Sequence, residues 1–171
     1  LYLDTEESNA GGNKPVTPWG KSAKTRAELF FSEGDIVKLE FPGTEDYDTC
    51  LKKYRGNYGR LLVTVHKDGE DFQETMIEEG FSPYFMKYGN AHCGEQHARY
   101  QKAERVAQEN RIGVWDQISV NGSEIRNYAA LGTWWQLRAK IIDHYRLRLT
   151  LGEPLLNSRL DYDQIKLLAE Q

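Results

Sequence analysis

The run from Tyr54 to Glu79, YRGNYGRLLVTVHKDGEDFQETMIEE, constrains the fold more than any other part of the chain. A polar loop ends at Tyr58-Gly59-Arg60, and LLVTVH follows with β-branched residues and little charge, the pattern of a strand. Lys67-Asp68-Gly69-Glu70 predicts a tight reversal, because Asp-Gly accepts the positive φ that such a turn needs. Asp71 is placed to cap a short helix, FQETMIEE, and Gly80 stands where a C-terminal helix glycine belongs. An arginine is therefore set at the mouth of a strand beside flexible Gly59. Its five donors in a planar fork suit phosphate oxygens.

Upstream, Leu1-Tyr2-Leu3 reads as the tail of a strand that ends in Asp4-Thr5-Glu6-Glu7. Asp4, Glu6 and Glu7 repel one another unless a cation or arginines neutralise them. They form either a hard-metal site with a general base or a solvated acidic end. Asn9 to Pro18 is a Gly/Asn/Pro loop. From Trp19 to Phe31, the residues Trp19, Ala23, Ala27, Phe30 and Phe31 fall near helical spacing, which predicts a first helix with its aromatics in the core. Asp35 to Phe41 alternates Ile36/Val37, Leu39 and Phe41 with charge, as a half-buried strand does. Pro42 to Asn57 reads as a long polar loop. Its acids Glu45, Asp46 and Asp48 precede Lys52, Lys53 and Arg55, which makes it either a charge-paired hairpin or flap, or a loop shaping a substrate site next to Arg60.

Downstream, FSPYFMKY from Phe81 to Tyr88 surrounds Lys87 with aromatics, suited either to base stacking or to packing a loop on the body. Pro83 prevents easy continuation of the preceding helix. His92, Cys93 and His97 invite a metal reading that lacks a second pair of ligands. Gly94 to Arg111 is a charged amphipathic helix with Ala98, Ala103, Val106 and Ala107 as its expected inner face, and Trp115 is expected to anchor on the body. Beyond it, Trp134, Leu137, Ile141 and Tyr145 form an apolar stripe that predicts a helix docked on the body or on a second chain, with Arg138 and Arg146 near solvent.

The bulk numbers exclude some partners. Lys+Arg 22 against Asp+Glu 26 gives a net charge of −4, which argues against gripping nucleic acid by overall charge but leaves room for a local basic cleft. With 28% charged residues and no apolar run long enough to span a bilayer, the chain is expected to be globular and not a membrane protein. Cys50 and Cys93 either pair in an oxidising setting or remain thiols.

The segments Leu3-Asp4-Thr5-Glu6-Glu7, Tyr58-Gly59-Arg60, the Asp-Gly turn, Glu78-Glu79-Gly80-Phe81-Ser82-Pro83-Tyr84 and EQHARYQKAERVAQENRIGVW occur in an order and spacing that resemble the thermonuclease family, whose type member is staphylococcal nuclease. A lone Tyr-Gly-Arg is a weak signal, and the ordered set is more specific. The resemblance runs from Leu1 to Trp115. It implies an α+β fold over residues 1–116, with the strands of an oligonucleotide-binding (OB) β-barrel and three flanking helices. Residues 117–171 would add a helical C-terminal extension that the type member lacks.

The resemblance also implies a metal-dependent nuclease that hydrolyses phosphodiester bonds of DNA or RNA. Asp4 and Thr5 would help hold Ca²⁺, and Glu7 would act as the general base on water. Arg60 would stabilise charge developing on the phosphate, and Tyr58, Lys87 and Tyr88 would contact nucleic acid. Two residues depart from the family pattern, Glu6 where proline is usual and Met86 where tyrosine is usual. They open the alternative of a catalytically impaired nuclease-like module that binds nucleic acid or protein. In the family, three strands, a second arginine and a further metal aspartate precede the Asp4 segment; Leu1 is not a natural start, so upstream sequence is expected. The oligomeric state is open, with a monomer favoured, and the resemblance leans toward an exported or periplasmic setting.

Overall fold

The computed structural model describes residues 1–9, 16–85, 89–115 and 151–152. The expected C-terminal docking of Trp134, Leu137, Ile141 and Tyr145 lies outside the described residues. The described elements are α1 (Pro18–Phe30), β1 (Lys38–Glu40), α2 (Tyr47–Lys53), β2 (Thr64–Lys67), β3 (Glu70–Asp71), α3 (Phe72–Glu78), α4 (Gly94–Glu109) and a single 3₁₀ turn, Gly113–Trp115. The class is α+β, as expected. Among the described residues the sheet is three-stranded and antiparallel, in the order β1-β2-β3, and it is open. Leu1-Tyr2-Leu3 is not a strand: it meets the sheet region through one bond, Leu1 N to Val63 O at 3.2 Å.

The Tyr54–Glu79 stretch folds as its residues dictate. Asp68 and Gly69 take φ of 52° and 86°, so the two-residue turn has the hand that matches strand twist, and His66 pairs with Asp71. Asp71 then caps α3, accepting from Gln73 N at 2.9 Å and Glu74 N at 3.1 Å. Gly80 (φ 73°) ends α3, and Phe81 N reaches back to Met76 O at 2.9 Å, the six-to-one bond of a Schellman turn. The side chain of Gln73 extends the sheet. Its Oε1 accepts from Val65 N at 3.0 Å, and its Nε2 donates to Val63 O at 3.1 Å, replacing a backbone neighbour for β2.

Helix α1 starts one residue earlier than the pattern predicts, with Thr17 capping Gly20 N at 3.0 Å and Pro18 at the first position, where its missing N–H costs nothing. Phe30, Phe31 and Phe72 stack in a cluster with centroids 4.8–5.2 Å apart. A fork of two bonds from Arg26 to Glu79, at 2.7 and 2.8 Å, ties α1 to the end of α3.

Three further expectations are corrected. The strand predicted over Asp35–Phe41 shrinks to Lys38–Glu40, with Ile36 92% exposed, because β1 is an edge strand that no described element covers. The loop predicted over Pro42–Asn57 contains α2, capped by Asp46 and ending in Lys52 and Lys53, where cations favour a helix C-terminus. The expected charge pairing is present within it, as Lys53 binds Glu45. The inner face of α4 is not Ala98, which is exposed. It is Gln96, Tyr100, Ala103, Glu104, Ala107 and Gln108, a stripe at helical spacing in which the polar members find backbone or hydroxyl partners or lie buried.

The core gathers Tyr2, Ile77, Tyr84, Ala91, Tyr100 and Ala103, with Leu1 and Leu3 against it. Trp115 is buried as expected, on a turn whose Val114 N donates to Gly80 O at 2.8 Å. Cys50 and Cys93 are free thiols, the first buried and the second exposed.

Candidate active site

Three chain segments carry the predicted site residues, and hydrogen bonds join the acidic segment to residues near the other two. The acidic segment is bonded at Leu1 to Val63, three residues past Arg60. It is bonded at Tyr2 O to Phe85 N at 2.9 Å, and Asp4 N donates to Ser82 Oγ at 2.8 Å. Asp4 is thus stitched to Ser82, five positions before Lys87 in the sequence. The positions of Lys87 and Tyr88 themselves lie outside the described residues.

Glu7 is fixed from the other side. Its carbonyl accepts from Thr17 N at 3.2 Å, and it forms an isolated parallel bridge with Val16. The first turn of α1 rests directly on it. A Cβ at Gly20 would lie 1.9 Å from Glu7 O, so only glycine allows this approach. Glu6 is buried at 4% exposure, while Asp4, Thr5 and Glu7 are part-exposed. The acidic segment is therefore no solvated tail: Glu6 faces inward, and its neighbours on either side remain accessible.

Arg60 is exposed, and its guanidinium lies 5.6 Å from the ring centre of Tyr58, which is 85% exposed. A cation over an exposed ring offers both a charge for phosphate and a face for a base. The loop behind them is braced by Arg55, which donates to Leu51 O and Gly59 O, both at 2.6 Å. Gly59 itself takes φ 72° and nothing would meet a Cβ there, so its freedom serves the turn and not a close approach.

Asp4 and Thr5 offer the hard oxygen donors that Ca²⁺ takes, but Ca²⁺ needs six to eight. Among the described residues no group of three or more His, Cys, Asp or Glu is arranged to hold a metal, so these two do not make a complete site. The histidine-cysteine metal reading also fails there. His97 Nδ1 faces the Tyr84 hydroxyl at 2.9 Å, and His92 faces Glu40 at 3.8 Å.

Sequence reasoning missed the buried support beneath this site. Glu104 is fully buried on α4, and its Oε1 accepts from Tyr84 N at 2.9 Å. Desolvation pushes its carboxyl up to about 8, against the weaker opposing effect of that amide bond. Asp71, besides capping α3, accepts from the buried Tyr100 hydroxyl at 2.8 Å. A glutamate at i+4 from a buried Tyr100 on a helix was the one visible signal of an inward polar group.

These features define a small α+β domain in which an acidic segment is hydrogen-bonded to the Ser82–Phe85 segment, with an exposed arginine–tyrosine pair at Arg60 and Tyr58. The chain belongs to the staphylococcal nuclease homologue family, whose pattern matches residues 2–117. Two relatives from Bacillus subtilis (strain 168) are similar over 121 residues, 68% of this chain: the SPbeta prophage-derived endonuclease YokF at 29% identity and the endonuclease YncB at 28%. The matched region spans 36% of the first relative and 50% of the second.

Proposed function

We propose that this chain is part of a nuclease that hydrolyses phosphodiester bonds of DNA or RNA by direct attack of water on phosphorus. The observation that supports it best is the stitching of the acidic segment to both other site segments, at Leu1–Val63, Tyr2–Phe85 and Asp4–Ser82. Family membership and two relatives named as endonucleases support the same reading. Glu7, part-exposed and pinned by α1, takes the proton from the attacking water. Arg60 donates to the phosphate oxygens as negative charge builds on them, and this contribution is larger in the transition state than in the ground state. Tyr58, Lys87 and Tyr88 hold the strand by stacking and charge. Ca²⁺ is proposed, on the resemblance, as the ion that Asp4 and Thr5 help to hold. The same resemblance makes β1–β3 part of an OB barrel.

Cleavage of single-stranded DNA, measured with Ca²⁺ and with chelator, tests the reading. Removing the arginine in Arg60→Ala is expected to slow cleavage by about 10²–10³-fold. Equal rates with and without Ca²⁺, or an Arg60→Ala variant as fast as wild type, would refute it. A second reading, a module that binds nucleic acid without cutting, draws on buried Glu6 where the family pattern has proline. It predicts DNA binding that Arg60→Ala weakens, with no cleavage in either protein.

A further inference from the structure

Arg60 leaves the chain from the tip of a small hairpin. Gly59 N donates to Gly56 O and Gly56 N donates to Arg60 O, both at 2.8 Å. Beyond these bonds Arg55 and Leu61 form an antiparallel bridge, and Leu62 N donates to Tyr54 O at 2.8 Å. Asn57, Tyr58 and Gly59 are therefore the three loop residues, with Gly59 at φ 72° closing the loop, and Arg60 is the first residue of the returning arm. The Arg60 guanidinium lies 5.6 Å from the ring centre of Tyr58 in that loop.

One side chain joins this tip to the helix before it. Arg55 Nε donates to Leu51 O, in the last turn of α2, where carbonyls have no intrahelical N–H to accept from. Arg55 Nη1 donates to Gly59 O, and both bonds are 2.6 Å long. The Gly59 carbonyl belongs to the same planar peptide unit as Arg60 N, so a bond to it fixes the plane from which Arg60 emerges. On the other side, the Arg60 carbonyl is fixed by Gly56 N. The backbone of Arg60 is thus held before and after its Cα, and the first hold comes from Arg55. Because the guanidinium is rigid and planar, both of its bonds form together only when α2 and the hairpin keep one relation to each other.

We propose that Arg55 is a positioning residue for phosphodiester cleavage: by spanning from the last turn of α2 to Gly59 O, its guanidinium sets the peptide that presents Arg60 to the phosphate. The proposal rests on the nuclease reading above, and it makes α2 the anchor against which the hairpin tip is held. Arg55→Met removes both donors and keeps an unbranched stem. Arg55 is exposed, so its loss is expected to leave the melting temperature close to that of wild type. KM and kcat on a short single-stranded DNA with Ca²⁺ are measured in the full-length protein for wild type, Arg55→Met, Arg60→Ala and the double variant, together with thermal melting. Hydrogen exchange of the Gly56 amide, whose acceptor is Arg60 O, is followed in wild type and Arg55→Met.

Arg55→Met is expected to lower kcat about tenfold with KM within about twofold, the result of misplacing a group that acts in the transition state. Its Gly56 amide is expected to exchange about tenfold faster. In the Arg60→Ala background the same substitution is expected to slow cleavage by less than about twofold, because the group it positions is gone. An equal loss in both backgrounds means that Arg55 acts by its own charge or through stability, and it overturns the proposal. A raised KM with kcat preserved makes Arg55 a direct substrate contact and overturns it as well, as does an unchanged kcat. A wild-type protein that cuts DNA, with a Gly56 amide indifferent to Arg55→Met, overturns the brace alone. A wild-type protein that does not cut, although Arg55→Met still speeds exchange at Gly56, overturns the nuclease reading, and the proposal falls with it.

Discussion

Replacing Glu104 by glutamine isolates the energetic consequence of a carboxyl in the core. Glu104 is 0% exposed; Oε1 accepts from the Tyr84 amide, and Oε2 has no hydrogen-bond partner among the described residues. Its carboxyl stands at about 8 in the fold, against 4.5 for the ordinary group. Between those values the folded chain holds a proton that the unfolded chain has released, so the free energy of unfolding falls as pH rises through this window. Below about 4.5 the contribution is fully present, and above about 8 it is lost. At about 1.4 kcal/mol per pH unit, the interval from 4.5 to about 8 corresponds to roughly 5 kcal/mol, an upper figure. Glutamine keeps an acceptor for the Tyr84 amide and cannot ionise. It places an NH₂ where Oε2 lies buried without a partner, which costs about 1–3 kcal/mol at every pH. Urea unfolding at about pH 5 and about pH 9 should therefore give crossing curves, the variant less stable than wild type in acid and more stable in base. If the two proteins lose the same stability between those pH values, Glu104 does not carry the buried proton and the reasoning fails.

Asp71→Ala removes the cap of α3 and leaves the Tyr100 hydroxyl buried without its acceptor, for a loss of about 2–4 kcal/mol and a fall in melting temperature on the order of 10 °C. Calorimetry showing a shift of only a degree or two would contradict that accounting. Gly20→Ala should destabilise by about 1–3 kcal/mol and reduce cleavage, because its Cβ would meet Glu7 O at 1.9 Å; stabilisation by the ~1 kcal/mol that alanine normally gains in a helix would mean the two segments are not in contact. With a thiol-specific reagent in the native protein, Cys93 should react quickly and Cys50 only on unfolding, since Cys50 is buried and burial raises its thiol pKa.

The sequence by itself determined the local elements whose causes are local. The Asp68-Gly69 turn, the Asp71 cap, the Gly80 terminator and α4 all follow from residues within one turn of themselves, and the structure has each of them. The ordered set of site segments was also legible, and with it the family. Only tertiary structure decided what those segments rest on. Helix α2 leaves no helical signature in the sequence, because its cap and its Lys53–Glu45 closure lie in a run whose charges show no apolar period. Apolarity alone points Ala98 inward, whereas the inward stripe is chosen by what α3 and the Tyr84 amide present to α4, and there Glu104 supplies an acceptor that alanine cannot. Glycine at position 20 carries no mark of its purpose in the chain. Its meaning comes from Glu7, thirteen residues away, whose carbonyl occupies the space a side chain would need. Periodicity reports which residues avoid water; it does not report which distant backbone group will need a partner, and that need fixed Glu104, Tyr84 and Gly20.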